Sequence, residues 1–302
     1  MRRVTYSPLC VNRPATRSAP LPDAGPLLFG DIDDTGRPLA IVVHGFPDTP
    51  YTWRHLGPAL AAHGYRVVAP WLPGYDGPAI ASISVGTYVR HIQRVRMDYQ
   101  GDNRTVLLGH DWGAYAAYGA VALAPGSYRR LVTLAVPPIG ALGPAMFDYR
   151  QVKRSFYIWF IQQVGLAETA LAAPGFWEAL WADWSPGYDC SEDVARLRRF
   201  VTEASIPGII CPYRASFQPE FGDEEVAAEA AATMVPPPVP TLYVHGSDDG
   251  AMGAELLENV AAQLPAPGSR FELLEGVGHF LHLEQPDRIA ELICRFLKSE
   301  VI

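Results

Sequence analysis

Six short apolar runs constrain this chain more than any other feature. LAIVVHG (39–45), YRVVAP (65–70), TVLLGH (105–110), LVTLAV (131–136), TLYVHG (241–246) and RFELLEG (270–276) each end in, or run into, a turn residue. None alternates apolar with polar residues, so they read as strands buried on both faces of a mostly parallel sheet. Between them the spacing predicts helices at 52–63, 84–99 and 112–124, and a last one opening at Pro286. That last helix puts Ile289, Leu292, Ile293, Phe296 and Leu297 on one face, with proline in the first turn where its missing N–H does no harm. Strands alternating with helices give an α/β architecture, with the central sheet flanked by helices.

The alternation stops after Pro137 and Pro138 and resumes only after the PPPVP run at 236–240. The residues between are rich in Trp, Phe, Tyr and Ala and show helical patterns without a strand. They read as an inserted helical lid over 138–237, entered and left through proline hinges. The core then has two parts, 1–137 and 238–302, and its first 26 residues, with five prolines, read as an extended arm.

A net charge of −8 and scattered basic residues disfavour nucleic acid or an anionic membrane as the main partner. No apolar stretch approaches the roughly 20 residues that span a bilayer, and the basic start MRRVTYSPLCVNRP has no apolar stretch behind it. The expectation is a cytoplasmic protein. Cys10, Cys190, Cys211 and Cys294 lie far apart without a C-x-x-C pair and read as thiols, a Cys190–Cys211 bridge being left open.

Chemistry concentrates in LLGHDWGA (107–114), where an apolar strand breaks into Gly109-x-Asp111-x-Gly113 and a helix follows at once. A tight strand-to-helix turn of this form exposes its central residue at the carboxyl edge of the sheet. Asp111 could instead be a helix N-cap, a common structural use of aspartate. Two further segments decide between them. TLYVHG is followed by Ser247, Asp248 and Asp249, and RFELLEG by Val277, Gly278 and His279, which is the chain order nucleophile, acid, histidine. Upstream, the strand LAIVVHG enters HGFPDTPYTWR (44–54), where the backbone N–H of Phe46 can join that of Trp112 as an oxyanion hole.

Through HGFP (44–47), GHDWGA (109–114), HGSDD (245–249) and GVGHFLHLEQP (276–286), the chain resembles the α/β-hydrolase fold superfamily. It is most similar to the epoxide hydrolase and dehalogenase branch, whose nucleophile is aspartate, and the likeness runs from about Leu39 onward. A carboxylate is ionised at pH 7 and attacks without first losing a proton, which suits displacement at saturated carbon rather than ester or amide cleavage. His279 would then activate the water that cleaves the resulting alkyl ester. The resemblance favours Asp249 over Asp248 as its acidic partner, since the family shows G-x-x-D after this strand.

The leaving group separates the two chemistries. SFYIWFIQQVGLAE (155–168) resembles the first lid helix of soluble epoxide hydrolases and implies Tyr157 as one ring-opening phenol, with Tyr149 as the fallback. CPYRASF (211–217) implies Tyr213 as the other. All of these tyrosines could equally pack the lid. Dehalogenation would need halide donors, for which Trp112 and Trp159 are candidates. Phe46, Trp112 and Trp159 are expected in the substrate pocket, and Phe176, Trp177, Trp181 and Trp184 on the apolar underside of the lid. His44 and His110 read as supporting hydrogen-bonding groups. His282 lies three residues from His279, but the sequence offers no carboxylate–histidine arrangement for a metal, and no cofactor is expected. After YRVVAP, Trp71-Leu72-Pro73 replaces the Asp and Arg usual in the family, which puts that loop's geometry in doubt but not the triad.

The first expectation is therefore an epoxide hydrolase that turns a small hydrophobic epoxide and water into a vicinal diol. A dehalogenase with the same triad and a non-catalytic small-molecule binder are the alternatives. The oligomeric state, a homodimer included, stays open.

Overall fold

The computed structural model describes residues 25–75 and 82–299. Seven strands, β1 (Leu27–Phe29), β2 (Leu39–Val43), β3 (Arg66–Ala69), β4 (Val106–His110), β5 (Arg130–Leu134), β6 (Thr241–Gly246) and β7 (Arg270–Leu274), form one sheet in the order β1-β3-β2-β4-β5-β6-β7. All neighbours are parallel except β1 with β3. The register aligns Val43 with Gly109 and His110 with Leu134, so several strands end together at one edge.

Burial on both faces explains the uninterrupted apolar runs. Ile41, Val43, Val68, Leu107 and Leu131 belong to one core layer, and Ala40, Val42, Val67, Leu108 and Val132 to the other. The first layer packs on α2 (Val85–Asp98) and α3 (Trp112–Leu123), the second on α1 (Leu56–Ala62) and the C-terminal helix Pro286–Lys298. Among the larger side chains of α3, Ala114, Ala116, Ala117 and Gly119 allow close approach, and the helix is buried along nearly its whole length.

Three features differ from the sequence expectations. RFELLEG is an edge strand, and only Leu274 of β7 is fully buried, because no further strand covers its outer side. The helix expected over 52–63 divides into a 3-10 turn, Pro50–Arg54, and α1. Thr49 caps that turn, and Pro58 has no N–H with which to continue a helix from it. The antiparallel strand β1 gave no signal, being three residues long and only half-buried. Of the N-terminal arm, only Gly25 and Pro26 fall within the described residues.

Between β5 and β6 the described chain is helical, without a strand: α4 (Ile139–Leu142), α5 (Tyr149–Arg154), α6 (Phe156–Ile161), α7 (Leu166–Ala172), α8 (Phe176–Trp184), α9 (Ser191–Leu197), α10 (Ile206–Ala215) and α11 (Ala227–Ala232). The last of these lies against the core, where the Arg90 guanidinium of α2 meets Glu229 at 2.8 Å. Cys190 and Cys211 are thiols, not a bridge, and Cys294 is a thiol too; Cys10 lies outside the described residues. No helix among the described residues is long and apolar enough to cross a membrane.

After β7, α12 (Leu281–Glu284) leads into α13 (Pro286–Lys298), whose apolar face covers the second core layer. Ile293 there is wholly buried. Ile293→Ala is expected to cost about 2–5 kcal/mol through lost burial and an unfilled cavity. In urea unfolding, the midpoint should fall with the slope unchanged.

Candidate active site

Asp111 follows β4 directly and adopts φ 51° and ψ −120°, a backbone conformation rare for a residue with a side chain. The turn fits because Gly113 has no Cβ, which would overlap the carbonyl oxygen of Val43. The Asp111 side chain makes no capping bond to α3 and turns toward the loop after β2, where the Phe46 N–H donates to Oδ1 at 2.7 Å. Trp112, the first residue of α3, carries an N–H with no acceptor inside the helix.

Asp249 and His279 sit in the loops after β6 and β7. The His279 Nδ1–H donates to Asp249 Oδ2 at 2.9 Å, and Nε2 lies 3.6 Å from Asp111 Oδ2. Asp249 Oδ1 accepts from the N–H groups of Ala251 and Met252, at 2.8 Å each. The exposed Asp248 only receives the Ser247 hydroxyl.

All three members of this constellation are buried. Burial alone opposes a charged imidazole, yet the Asp249 carboxylate, the nearby Asp111 carboxylate and the bond to Asp249 overcome it and lift His279 to about 10. For Asp249 burial pushes upward, while the charge and hydrogen bond of His279 hold the carboxyl below its ordinary value.

A cavity of about 270 Å³ opens on Asp111. Tyr157 and Tyr213 line it, their rings at right angles with centroids 5.8 Å apart. Burial, then the charge of Asp111, raises both phenols well above 10, so both remain proton donors. The Tyr213 hydroxyl is buried without a hydrogen-bond partner. Tyr149, by contrast, is 82% exposed and stands outside the site, and the Tyr188 hydroxyl donates a hydrogen bond to Asp193 at 2.7 Å.

The remaining lining is mainly apolar: Trp112, Tyr115, Val136, Ile139, Leu142, Met146, Ile158, Phe217 and Met252. Most of these residues carry no motif, and only the fold gathers them. Two pocket expectations are corrected. Trp159 packs at a tilt between Phe147 and Phe217, with ring centroids 6.5 and 5.0 Å away, and is not part of the lining. Phe46 contributes its N–H, but its ring is buried behind Tyr213. Trp177, Trp181 and Trp184 do form the underside of the helical segment, as packed aromatic bulk rather than cavity wall. A larger cavity, about 570 Å³, between Tyr51, Trp71 and Arg199 holds none of the triad.

The histidines around the site are neutral. Burial lowers His44 to about 4 and His110 to about 3. His44 Nδ1 donates to the Gly45 carbonyl while Nε2 accepts from the Leu72 N–H, fixing the Trp71-Leu72-Pro73 loop. His110 Nε2 donates to the carbonyl of His279 at 3.0 Å. The fold brings His282 together with His110 and Asp48, all buried and with possible ligand atoms within 4.8 Å of one another, an arrangement the sequence did not disclose. Burial raises the Asp48 carboxyl well above its usual range and lowers His282 well below its own, and Arg54 and His279 lie nearby. Charge balance there favours neutral groups over a cation.

The sequence model of the alpha/beta hydrolase family matches residues 40–292. Among characterised sequences, the chain is 28% identical over 298 residues to epoxide hydrolase A of Mycobacterium tuberculosis, covering 87% of this chain and 91% of that protein. It is also 28% identical over 300 residues to an epoxide hydrolase of Caballeronia sordidicola, covering 87% and 88%. The crystal structure of epoxide hydrolase A from Mycobacterium thermoresistibile superposes with a TM-score of 0.72 at 23% identity, covering 91% of this chain and 95% of that one. The fold is that of the α/β hydrolases.

The site gives stability a defined pH dependence. His279 holds its proton more tightly when folded, so its contribution is complete below pH 6.5 and is lost as pH rises toward about 10. Asp249 acts in the opposite sense: its contribution is present above about pH 4 and is lost as pH falls through its lowered folded value. Thermal unfolding followed between pH 6.5 and 10 should show a falling midpoint, and His279→Gln should flatten that fall.

Proposed function

The chain belongs to the alpha/beta hydrolase family, and from that premise we propose that it is an epoxide hydrolase acting on a small hydrophobic epoxide under a helical lid, residues 138–237. The observation that carries the reading is the pairing, in one apolar cavity, of a buried carboxylate with two buried phenols. The names of the relatives point the same way.

Oδ1 of Asp111 is held by the Phe46 N–H, which leaves Oδ2 to attack an epoxide carbon. The carbon–oxygen bond of the ring breaks, and the alkoxide takes a proton from Tyr157 or Tyr213. Both phenols hold that proton until a strong base forms beside them. The product is an alkyl ester on Asp111, which no longer carries a charge.

Esterification also changes His279. After the Asp249 carboxylate, it is Asp111 that keeps it protonated, and once Asp111 is an ester the imidazolium gives its proton to the tyrosinate left by ring opening and can act as a base. Its Nε2 then takes a proton from water, which adds to the ester carbonyl while the N–H groups of Phe46 and Trp112 stabilise the oxyanion on Oδ1. Collapse expels the diol, protonated by His279, and the proton of the re-formed carboxyl returns to His279, restoring the resting site.

Dehalogenation fits less well, since Trp159, the second candidate halide donor, is absent from the cavity lining. A non-catalytic binder has no use for the hydrogen-bonded Asp249–His279 pair.

Incubation with styrene oxide and, separately, with a haloalkane should yield diol without halide. Halide without diol would replace this reading, and neither product across a broad panel would leave the binder. Asp111→Asn should lower turnover on the order of 10⁴-fold. Tyr213→Phe should slow ring opening by roughly 10²-fold. His279→Gln should accumulate an adduct heavier by the mass of the epoxide; an unmodified protein that still binds substrate would count against the ester.

A further inference from the structure

The loops that carry Asp249 and His279 do not stand alone. Between them and the helical segment runs a set of buried hydrogen bonds that neither the sequence motifs nor the reaction accounts for. Gln151, in α5, is wholly buried and uses its whole amide. Its nitrogen donates to the Ala251 carbonyl at 2.9 Å and to the Ser155 hydroxyl at 2.6 Å, and its oxygen accepts the Gly253 N–H at 2.9 Å. Ala251 also donates its N–H to Asp249 Oδ1, and Ser155 directly precedes α6, which carries Tyr157.

The end of α8 makes a second tie. The Trp184 carbonyl accepts from the N–H of Gly250 at 3.1 Å and of His279 at 2.9 Å, so one oxygen joins the acid loop to the histidine loop. This approach requires glycine at 250, where a Cβ would overlap the Asp183 carbonyl. Ser185 Oγ accepts from the Phe280 N–H at 2.9 Å, and the Trp181 indole donates to the Pro47 carbonyl at 3.1 Å, in the loop that holds Phe46.

We propose that this side of the helical segment is a fixed brace for the catalytic loops, and that Gln151 is its positioning residue, setting the Asp249 loop and the Tyr157 helix in one register. The physical reason is that Asp249 holds His279 through a single directional bond, and a loop shift of about 1 Å is enough to cost on the order of 100-fold in rate. The proposal rests on the reading of Asp249 and His279 as a working pair.

The test reads the His279 imidazole directly, by NMR titration of the full chain, alongside turnover of styrene oxide. Asp249 and Asp111 face this ring, with His110, His245 and His282 close by. Gln151→Leu should lower the titration midpoint by about one unit or more as Asp249 loosens. It should also lower kcat by roughly 10- to 100-fold, with KM changed far less. Gln151→Asn, too short to reach both Ala251 and Gly253, should move both readouts in the same direction by less, and serves if the leucine variant does not fold. Arg154→Ala removes the exposed ion pair with Glu255 between the same two regions and should leave the titration unchanged.

A folded Gln151 variant with the wild-type midpoint and kcat would overturn the proposal. So would an equal shift in Arg154→Ala, which would mean general loosening. A wild-type protein inert toward epoxides would instead overturn the functional reading, and the titration, which needs no substrate, would still decide the brace.

Discussion

Two carboxylates and one imidazole share a site from which water is almost excluded, and most of what surrounds them follows from that. Burying two negative charges is costly unless a positive charge or hydrogen bonds offset them. His279 supplies the charge, donating to Asp249 and lying 3.6 Å from Asp111. Backbone N–H groups supply the rest: Ala251 and Met252 to Asp249, Phe46 to Asp111. These donors come from loops after three different strands. They can meet only because parallel strands in this register finish at a common edge.

The same balance dictates what lies behind the site. Burial keeps the neighbouring histidines neutral, and the positive charge on His279 pushes them the same way. His110 lends an N–H to the carbonyl of His279, and the plane of Phe280 lies on Trp181 with ring centroids 3.5 Å apart. In front, the phenols and apolar side chains line the cavity without adding charge.

Much of this was legible in the sequence wherever a residue's role depends on its own segment. Glycines around Asp111 mark a tight turn because only a side-chain-free backbone passes that close, and the order Asp111, Asp249, His279 follows from strand order. The core strands could be read because burial on both faces leaves a run of apolar residues. β7 broke that rule because an edge strand needs little apolar surface, and β1, three residues long, was too short to read. Roles that depend on distant segments stayed hidden. Trp159 and Trp184 look alike in sequence, yet one packs against Phe147 and Phe217 and the other meets His279, because helices α6 and α8 present different faces. Gln151 gave no signal at all, since a glutamine in a short polar helix reads as a solvated surface residue.

The helical segment is then more than a cover. A serine-type elbow can rely on its histidine to create the nucleophile, but a carboxylate nucleophile is ready beforehand, and the burden shifts to the second step, when water must reach the ester. In the proposed reaction that step depends on His279 being held by Asp249 while the charge on Asp111 disappears. If the charge on His279 and Asp111 changes within such a cycle, electrostatics alone does not hold the loops, and bonds indifferent to charge state keep them in place. The Trp184 carbonyl and the Gln151 amide are such bonds, neutral and buried, and they come from the helical segment rather than from the sheet.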